Sequence, residues 1–371
     1  MPHASSPGAS ASMALPATMR AMVTRGHGGY EQLHYRDVPL PRPGPGEVLL
    51  QVLAAGINAT DINTRVGWYA SAQDGAAQQG WNGATPFPLI QGADCCGRVV
   101  ALGPQPAQAA PSDTASPGGA TKAPLALGQR VLVRSCMRSA GFGRWDTRWL
   151  GTDFAGAFAQ YVVVPQQEAF AVQCDWSDAA LATLPCAYGT AENMLQRAEV
   201  TATDHVLVTG ASGGVGSAVV QLARCRGARV TAITQPDKME AVRALGAEQV
   251  LARGADLSAL QDRFSVLVDN VAGPAFGDLL ATLQRGGRCV TSGAIAGAEV
   301  ALDLRKLYLR DIRLLGCTAW SAEVFPRLVG YVERGLLQPL LAGTFPLSEM
   351  ARAQQLFLEK RHLGNLVLIP D

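Results

Sequence analysis

His205-Val-Leu-Val-Thr-Gly210, Ala211-Ser-Gly-Gly-Val-Gly216 and Ser217-Ala-Val-Val-Gln-Leu-Ala-Arg-Cys-Arg226 follow one another as an apolar run, a glycine-rich turn and an amphipathic segment. Val215, Ala218, Val219, Leu222 and Ala223 recur at i, i+3, i+4, i+7 and i+8, the stripe of a helix lying on a sheet. Ser212, Gly213, Gly214, Val215 and Gly216 are therefore expected to form a strand-to-helix turn. Its free amides and positive dipole end would face an anion such as a pyrophosphate. Gly213 permits a backbone approach that a Cβ would block, and Gly216 lets the helix pack closely on the strand. Ala211 stands at the first position of the G-x-G-x-x-G pattern, so the match is imperfect; the flanking strand and helix supply the context it needs. A tight turn without a ligand is the plain alternative.

Strand and helix patterns alternate around this stretch. Asp178 to Ala191 predicts a helix interrupted near Pro185. Ala228 to Thr234 predicts a strand, and Pro236 to Leu245 a helix ending at Gly246. Phe264 to Asn270, Arg288 to Gly293 and Ile312 to Cys317 predict further strands. Repeated β-α units imply a parallel, doubly wound sheet in an α/β fold. An NAD site carries Asp or Glu about 20 residues past the glycine turn. Here that strand ends at Thr234, with neutral Gln235 next and Lys238 three residues on, so NADPH is expected over NADH. Asp237 reads either as a solvated first-turn residue or as a displaced ribose ligand, and Lys238 equally as a solvated helix lysine.

The chain has 371 residues, room for two domains, and 48% of it is apolar, which supplies a sizeable core. A net charge of +1 offers no basic field, so neither nucleic acid nor an anionic membrane is an expected partner. No apolar run reaches the roughly 18 residues of a spanning helix. Residues 1–18 lack a basic region followed by an apolar one and read as a disordered tail rather than a signal peptide. Eight cysteines without a C-x-x-C pair suggest free thiols in a reducing cytoplasm.

Met19 to Val23, Leu33 to Val38, Glu47 to Leu53, Asp94 to Leu102, Gln129 to Arg134 and Ala155 to Val164 read as strands, making the first domain mostly β. Residues 71–88 form a long loop with Trp81. Residues 104–127, rich in Ala, Pro, Ser and Thr, are expected to be a flexible insertion with no role in the core. Residues 321–371 hold two helices and the strand Asn365 to Ile369, expected to return to the first domain. The division is thus a tail over 1–18, a β-rich domain over 19–175 and 321–371, and a nucleotide domain over 176–320.

The β-rich first domain, the glycine turn and the helix ending Leu245-Gly246-Ala247 resemble the medium-chain dehydrogenase/reductase superfamily. Gly56-Ile-Asn-Ala-Thr-Asp61 with Arg65 and Gly67, then Gly92-Ala-Asp94 and Gly97-Arg-Val, resemble its quinone oxidoreductase (zeta-crystallin-like) branch. The resemblance implies a GroES-like catalytic domain beside a Rossmann domain, and a homodimer. It places Ser212 to Val215 on the pyrophosphate, Thr190 against the nicotinamide, and Asn270, Gly293 and Ala294 along ribose and nicotinamide. Zinc members of the superfamily hold their metal with a Cys, a His and a Cys. This chain has Asn58 and Ala93 at the first two positions and keeps only Cys186, so a metal-free site is expected. Without a metal to stabilise an alkoxide, the expected reaction is hydride transfer to a quinone or to the C=C bond of an α,β-unsaturated carbonyl. The developing enolate oxygen needs only hydrogen-bond donors. Asn58, Thr60, Asn63 and Tyr69 are the candidates; the branch commonly has a Tyr where this chain has Asn63. Asn58, Thr60 and Asp61 read equally as a capping and turn cluster. Trp81, Trp145 and Trp149 either shape an aromatic pocket or pack their loops, and Arg144 and Arg148 either bind an acidic substrate such as a CoA thioester or are solvated. An atypical alcohol dehydrogenase and a non-catalytic NADPH-binding protein remain the rival readings.

Overall fold

The structure, a computed structural model, describes residues 15–69, 79–80, 82–104 and 123–371. The strand Glu47–Gly56 is apolar on both faces and lies at the centre of a seven-stranded sheet. Across that sheet run Ala169–Ala171, Arg130–Val133, Cys96–Leu102, Glu47–Gly56, Asn365–Ile369 and Leu341–Pro346, with Tyr161–Pro165 also paired to the central strand. The C-terminal segment therefore comes back to extend the first sheet. Its outer strand Leu341–Pro346 carries Gly343 and Pro346 and escapes a reading based on β-propensity. Thr18–Thr24 pairs with Leu33–Pro39 and Leu89–Ile90 in a smaller sheet.

The tail over 1–18 and the insertion over 104–127 fall mostly outside the described residues, as does Trp81. At their described ends two expectations need correcting. The first strand already includes Thr18. Leu125 is buried among Val99, Val131 and Val133, so the end of the insertion does contribute to the core.

The second sheet is wholly parallel, in the order Gln249–Ala252, Arg229–Thr234, His205–Val208, Phe264–Asp269, Leu283–Thr291 and Arg313–Gly316. His205–Val208 pairs on one side with the strand that follows it and on the other with Phe264–Asp269. The strand order reverses there, which opens a crevice beyond the strands' carboxyl ends. Val206, Leu207, Val208, Val266, Leu267 and Val268 are all buried, as befits strands covered by helices on both faces.

Four helices set the site. Helix α1 is Ala59–Val66, α2 is Asp178–Leu181, α3 is Pro185–Arg197 and α4 is Gly214–Cys225. Pro185 interrupts the predicted helix because it suits a first turn and no other. Helix α3 packs on α4, where Gln221 Nε2 donates to the Tyr188 hydroxyl at 2.9 Å. Among the described residues no helix is long and apolar enough to cross a membrane.

Candidate functional site

The glycine turn is built around Gly210, whose φ of +58° belongs to the left-handed region. Gly210 thus takes the tight-turn role at which the pattern offered Ala211. Ala211 is instead buried, its amide donating to the Ile233 carbonyl at 3.1 Å. Gly213 N donates to Gly210 O at 2.9 Å, so the Gly213 amide closes the turn and is not free for a ligand. A Cβ on Gly216 would lie 2.3 Å from Gly210 O, so only glycine lets α4 start this close to the strand. The first-turn amides of α4 have no acceptor within their own helix. They begin at Gly214, after an N-cap, Gly213, with no side chain to compete.

At the next strand end Asn270 is half-buried. Its Oδ1 accepts from the amide and hydroxyl of Ser292, both at 3.1 Å, and its Nδ2 contacts Met194 Sδ at 3.6 Å. Gly293 and Ala294 follow at once, and a Cβ on Gly293 would be 3.7 Å from Asn270 O. Asn270 and Gly293 are therefore neighbours, and Ser292 and Met194 join them unforeseen. Thr190 is half-buried within α3, not at a helix cap.

Gln235 caps the 3-10 turn Pro236–Lys238, and Asp237 is exposed. Lys238 departs from the solvated reading. It is buried, its Nζ donating to the Lys360 carbonyl and, at 2.9 Å, to the His362 carbonyl. The ammonium thus pins the nucleotide domain to the C-terminal segment. Burial and the Lys238 charge draw the Lys360 ammonium down to about 8, which places a second cation at this strand tip. Lys360 lies 122 positions away, and no local pattern could have found it.

The catalytic candidates lie on α1 and at its two ends. Gly67, with φ +74°, ends α1 and reverses the chain. Trp68 N returns to the Asn63 carbonyl at 2.9 Å, and the Tyr69 hydroxyl comes back to Thr60 Oγ1 at 3.3 Å. The Tyr69 phenol is raised by burial, against the pull of hydrogen bonds from Thr60 and Asn63, so it stays protonated and able to donate. Thr60, Asn63 and Tyr69 therefore meet. Asn58 is turned elsewhere: its Nδ2 donates to Asp94 Oδ2 at 2.7 Å, and its backbone N donates to Asp61 Oδ2 at 2.8 Å. Asn58 and Asp61 thus cap α1, the second of the readings given to this cluster.

Sequence reasoning missed what Asp61 and Asp94 do together. Both are buried without a cation, and burial pushes each carboxyl up to about 7, with the Asp94 charge adding to the rise at Asp61. Asp94 Oδ1 accepts from Cys186 N at 2.6 Å and so holds the start of α3 against the catalytic sheet. Burial, and then Asp94 and Asp61, raise the Cys186 thiol well above its ordinary range, so it is a neutral thiol and not a thiolate. Among the described residues, no three His, Cys, Asp or Glu side chains are grouped as a metal site.

Residues 44–174 match the model for the alcohol dehydrogenase GroES-like domain, and residues 214–334 the model for zinc-binding dehydrogenases. Acryloyl-coenzyme A reductase of Metallosphaera sedula is 26% identical over 359 residues, covering 94% of this chain and 99% of that protein. The chloroplastic NADPH-dependent alkenal/one oxidoreductase of Arabidopsis thaliana is 26% identical over 97% of this chain and 82% of its own. Among solved structures, a candidate alcohol dehydrogenase of Sinorhizobium meliloti 1021 superposes with a TM-score of 0.85 at 42% identity, covering 96% of this chain and 98% of that one. A thermostable alcohol dehydrogenase of Pyrobaculum aerophilum does so at 0.78 and 31% identity, covering 95% and 100%.

Proposed function

The chain belongs to the medium-chain dehydrogenase/reductase superfamily of oxidoreductases, and from that premise we propose that it reduces a quinone or the C=C bond of an α,β-unsaturated carbonyl with NADPH and without a metal. One observation carries the reading. Where zinc members of the superfamily place metal donors, this chain has an amide already engaged by Asp94, the methyl of Ala93 and the neutral thiol of Cys186. Beside them stands a protonated hydroxyl pair, Tyr69 and Thr60. That donor set does not fit a catalytic zinc, but it fits the oxygen of a developing enolate, which needs hydrogen-bond donors and no Lewis acid.

The glycine turn fits a dinucleotide: the first-turn amides of α4 have no acceptor within their own helix, and Gly213 and Gly214 at its start carry no Cβ. When bound, the reduced nicotinamide supplies the hydride, which is received by the electron-poor β-carbon of the acceptor. Tyr69, donating through or beside Thr60 and oriented by Asn63, stabilises the oxygen at the far end of the conjugated system. Asn270 and Ser292 border the same crevice and hold the strand ends that would flank the nicotinamide. Lys238 and Lys360 give the adenosine end a positive strand tip with no carboxylate on Gln235, which supports NADPH over NADH. The names of the alkenal/one oxidoreductase and the acryloyl-coenzyme A reductase agree in substrate class.

A homodimer is part of the proposal. The edge strand Arg313–Gly316 is unpaired on one side among the described residues, and Ile295, Leu304, Tyr308, Leu309 and Leu314 are exposed near it, which suits a second copy of the chain. A cytoplasmic setting is proposed from eight free cysteines. The test is a panel of quinones, enals and enoyl thioesters assayed with NADPH and NADH in parallel, with metal analysis of the same sample. Reduction of at least one acceptor, faster with NADPH and at far less than one zinc per chain, is the expected result. Alcohol oxidation that depends on one bound zinc per chain would overturn it.

A further inference from the structure

The loop over 137–152 carries three conspicuous side chains that are already committed. Arg144 pairs with Asp146 at 2.9 Å, Arg148 lies over the Phe154 ring at 4.4 Å, and Trp149 is buried edge-on to Trp320. Two other arginines, Arg138 and Arg197, are held by carbonyls and form no ion pair among the described residues. Arg138 is 6% exposed; its Nη1 donates to the Trp320 carbonyl at 2.7 Å and its Nη2 to the Phe142 carbonyl at 3.3 Å. Its buried Nε has no partner among the described residues. Arg197, at the end of α3, donates from Nη2 to the Ala319 carbonyl at 2.9 Å and lies over the Trp145 ring at 4.7 Å. The same ring is 6.0 Å from Arg138.

These residues, with Phe142, Ser321, Ala322 and Glu323, line a cavity of about 250 Å³. Glu323 is the one carboxylate in the lining among the described residues. It is exposed at the rim and takes a 3.4 Å hydrogen bond from Gln196 Nε2. The nearby Arg134 is paired with Glu168 at 2.6 Å and Asp146 with Arg144 at 2.9 Å, so the inner charge of the cavity is that of Arg138 and Arg197.

Burying a guanidinium without a counter-ion is costly, and setting a second one near it adds repulsion. Carbonyl oxygens satisfy some of the N–H groups but supply no negative charge. An anion entering the cavity would meet the guanidinium groups of Arg138 and Arg197, whose planar forks carboxylates and phosphates match. Trp145 is 72% exposed although it sits over a cation, leaving a flat wall for an apolar segment joined to that anion.

The cavity adjoins the expected nicotinamide position. Arg138 donates to the Trp320 carbonyl at 2.7 Å, and the Trp320 ring packs against Gly189, the neighbour of Thr190. We propose that this cavity is a subsite for a carboxylate or phosphate carried by the acceptor, with Arg138 and Arg197 taking the anion and Trp145 covering the segment that joins it to the reacting bond. The inference rests on the reductase reading above.

Two measurements test it on the full chain. Calorimetric titration with benzoate, phenyl phosphate and neutral benzyl alcohol is expected to show saturable binding of an anion but not of the alcohol. Affinity should fall about tenfold, or about 1.4 kcal/mol, in Arg197→Gln and in Trp145→Ala. The tighter anion identifies the headgroup. In the second measurement, 4-phenyl-3-buten-2-one and its para-carboxylate are compared as acceptors. The wild type should favour the acid, and in Arg197→Gln the ratio of kcat/KM values should drop about tenfold with the neutral acceptor unchanged. Arg138→Lys, which keeps the buried charge but loses the fork, should lower the same ratio. No saturable anion binding, binding indifferent to Arg197, or no preference for the acid overturns the proposal. If neither acceptor is reduced, the reductase reading falls. Arg197-dependent anion binding then still upholds the anion site, and its absence overturns it.

Discussion

Gly213 and Gly216 are three residues apart in one turn, yet alanine at each should fail for a different reason. At Gly213 the backbone is extended, with φ −79° and ψ 169°, which alanine adopts freely, and the new Cβ would meet only Gly210 O at 3.4 Å. Replacing a glycine N-cap by alanine costs under about 1 kcal/mol, so Gly213→Ala should fold and melt almost as the wild type does. Its methyl would stand where a pyrophosphate must approach the amides after it. Hydrogen bonds to charged groups are worth about 1.5–3 kcal/mol each, so losing one should weaken NADPH binding by about ten- to a hundredfold. At Gly216 the Cβ would lie 2.3 Å from Gly210 O and 2.8 Å from Ala211 Cα, both backbone atoms that cannot swing aside. Helix and strand would have to part by about 1 Å to restore ordinary contact, at a cost of about 1–3 kcal/mol. Gly216→Ala should therefore lose stability and cofactor affinity together. Thermal unfolding and NADPH fluorescence titration of the three proteins measure both quantities. The reasoning is refuted if Gly213→Ala binds NADPH within twofold of the wild type, or if it loses as much stability as Gly216→Ala.

Tyr69→Phe removes the hydroxyl 3.3 Å from Thr60; kcat for acceptor reduction should fall about ten- to a hundredfold at unchanged NADPH affinity, and an unchanged kcat would exclude Tyr69 as a donor. Asp94→Asn tests the buried carboxyl pair through pH. In the unfolded chain both aspartates ionise near 3.8, and in the folded chain only near 7. Between those values the folded state binds more protons, so the pair makes wild-type stability fall as pH rises through the window. The variant has one fewer such group, and its melting temperature relative to the wild type should climb from pH 4 to pH 7; a flat difference would contradict the assignment. Lys238→Met should lower the preference for NADPH over NADH by about tenfold, read as the ratio of the two dissociation constants. An equal loss for both cofactors would mean that Lys238 serves only as the pin to the Lys360 and His362 carbonyls.

What could be read from the chain divides by distance along it. The strand, turn and α4 stripe lie within 22 consecutive residues, and periodicity with glycine placement is enough to find them. Even there the pattern pointed to Ala211, because which residue takes a positive φ depends on how the turn closes on Ile233 of the neighbouring strand. Thr60, Asn63 and Tyr69 were legible as donors but not as a cluster. Their meeting requires Gly67 to reverse the chain, and it is the burial that follows which keeps the phenol protonated. Asp61 and Asp94 carry no local sign of sharing a dry site, since each looks like an ordinary acidic residue until the GroES-like sheet closes over both. The acceptors of Lys238 and the carbonyls that hold Arg138 and Arg197 come from segments more than a hundred residues away, except for the Phe142 carbonyl on Arg138. Charge therefore misleads most in a one-dimensional reading. A lysine that looks free is held by two backbone carbonyls, the exposed arginines of the 137–152 loop are paired or stacked, and the guanidinium groups around the cavity left without an ion pair are the buried Arg138 and the half-buried Arg197. A ligand's charge is answered by what folding leaves unpaired, and that remainder exists only once the sheets, α3 and the C-terminal strands are in place.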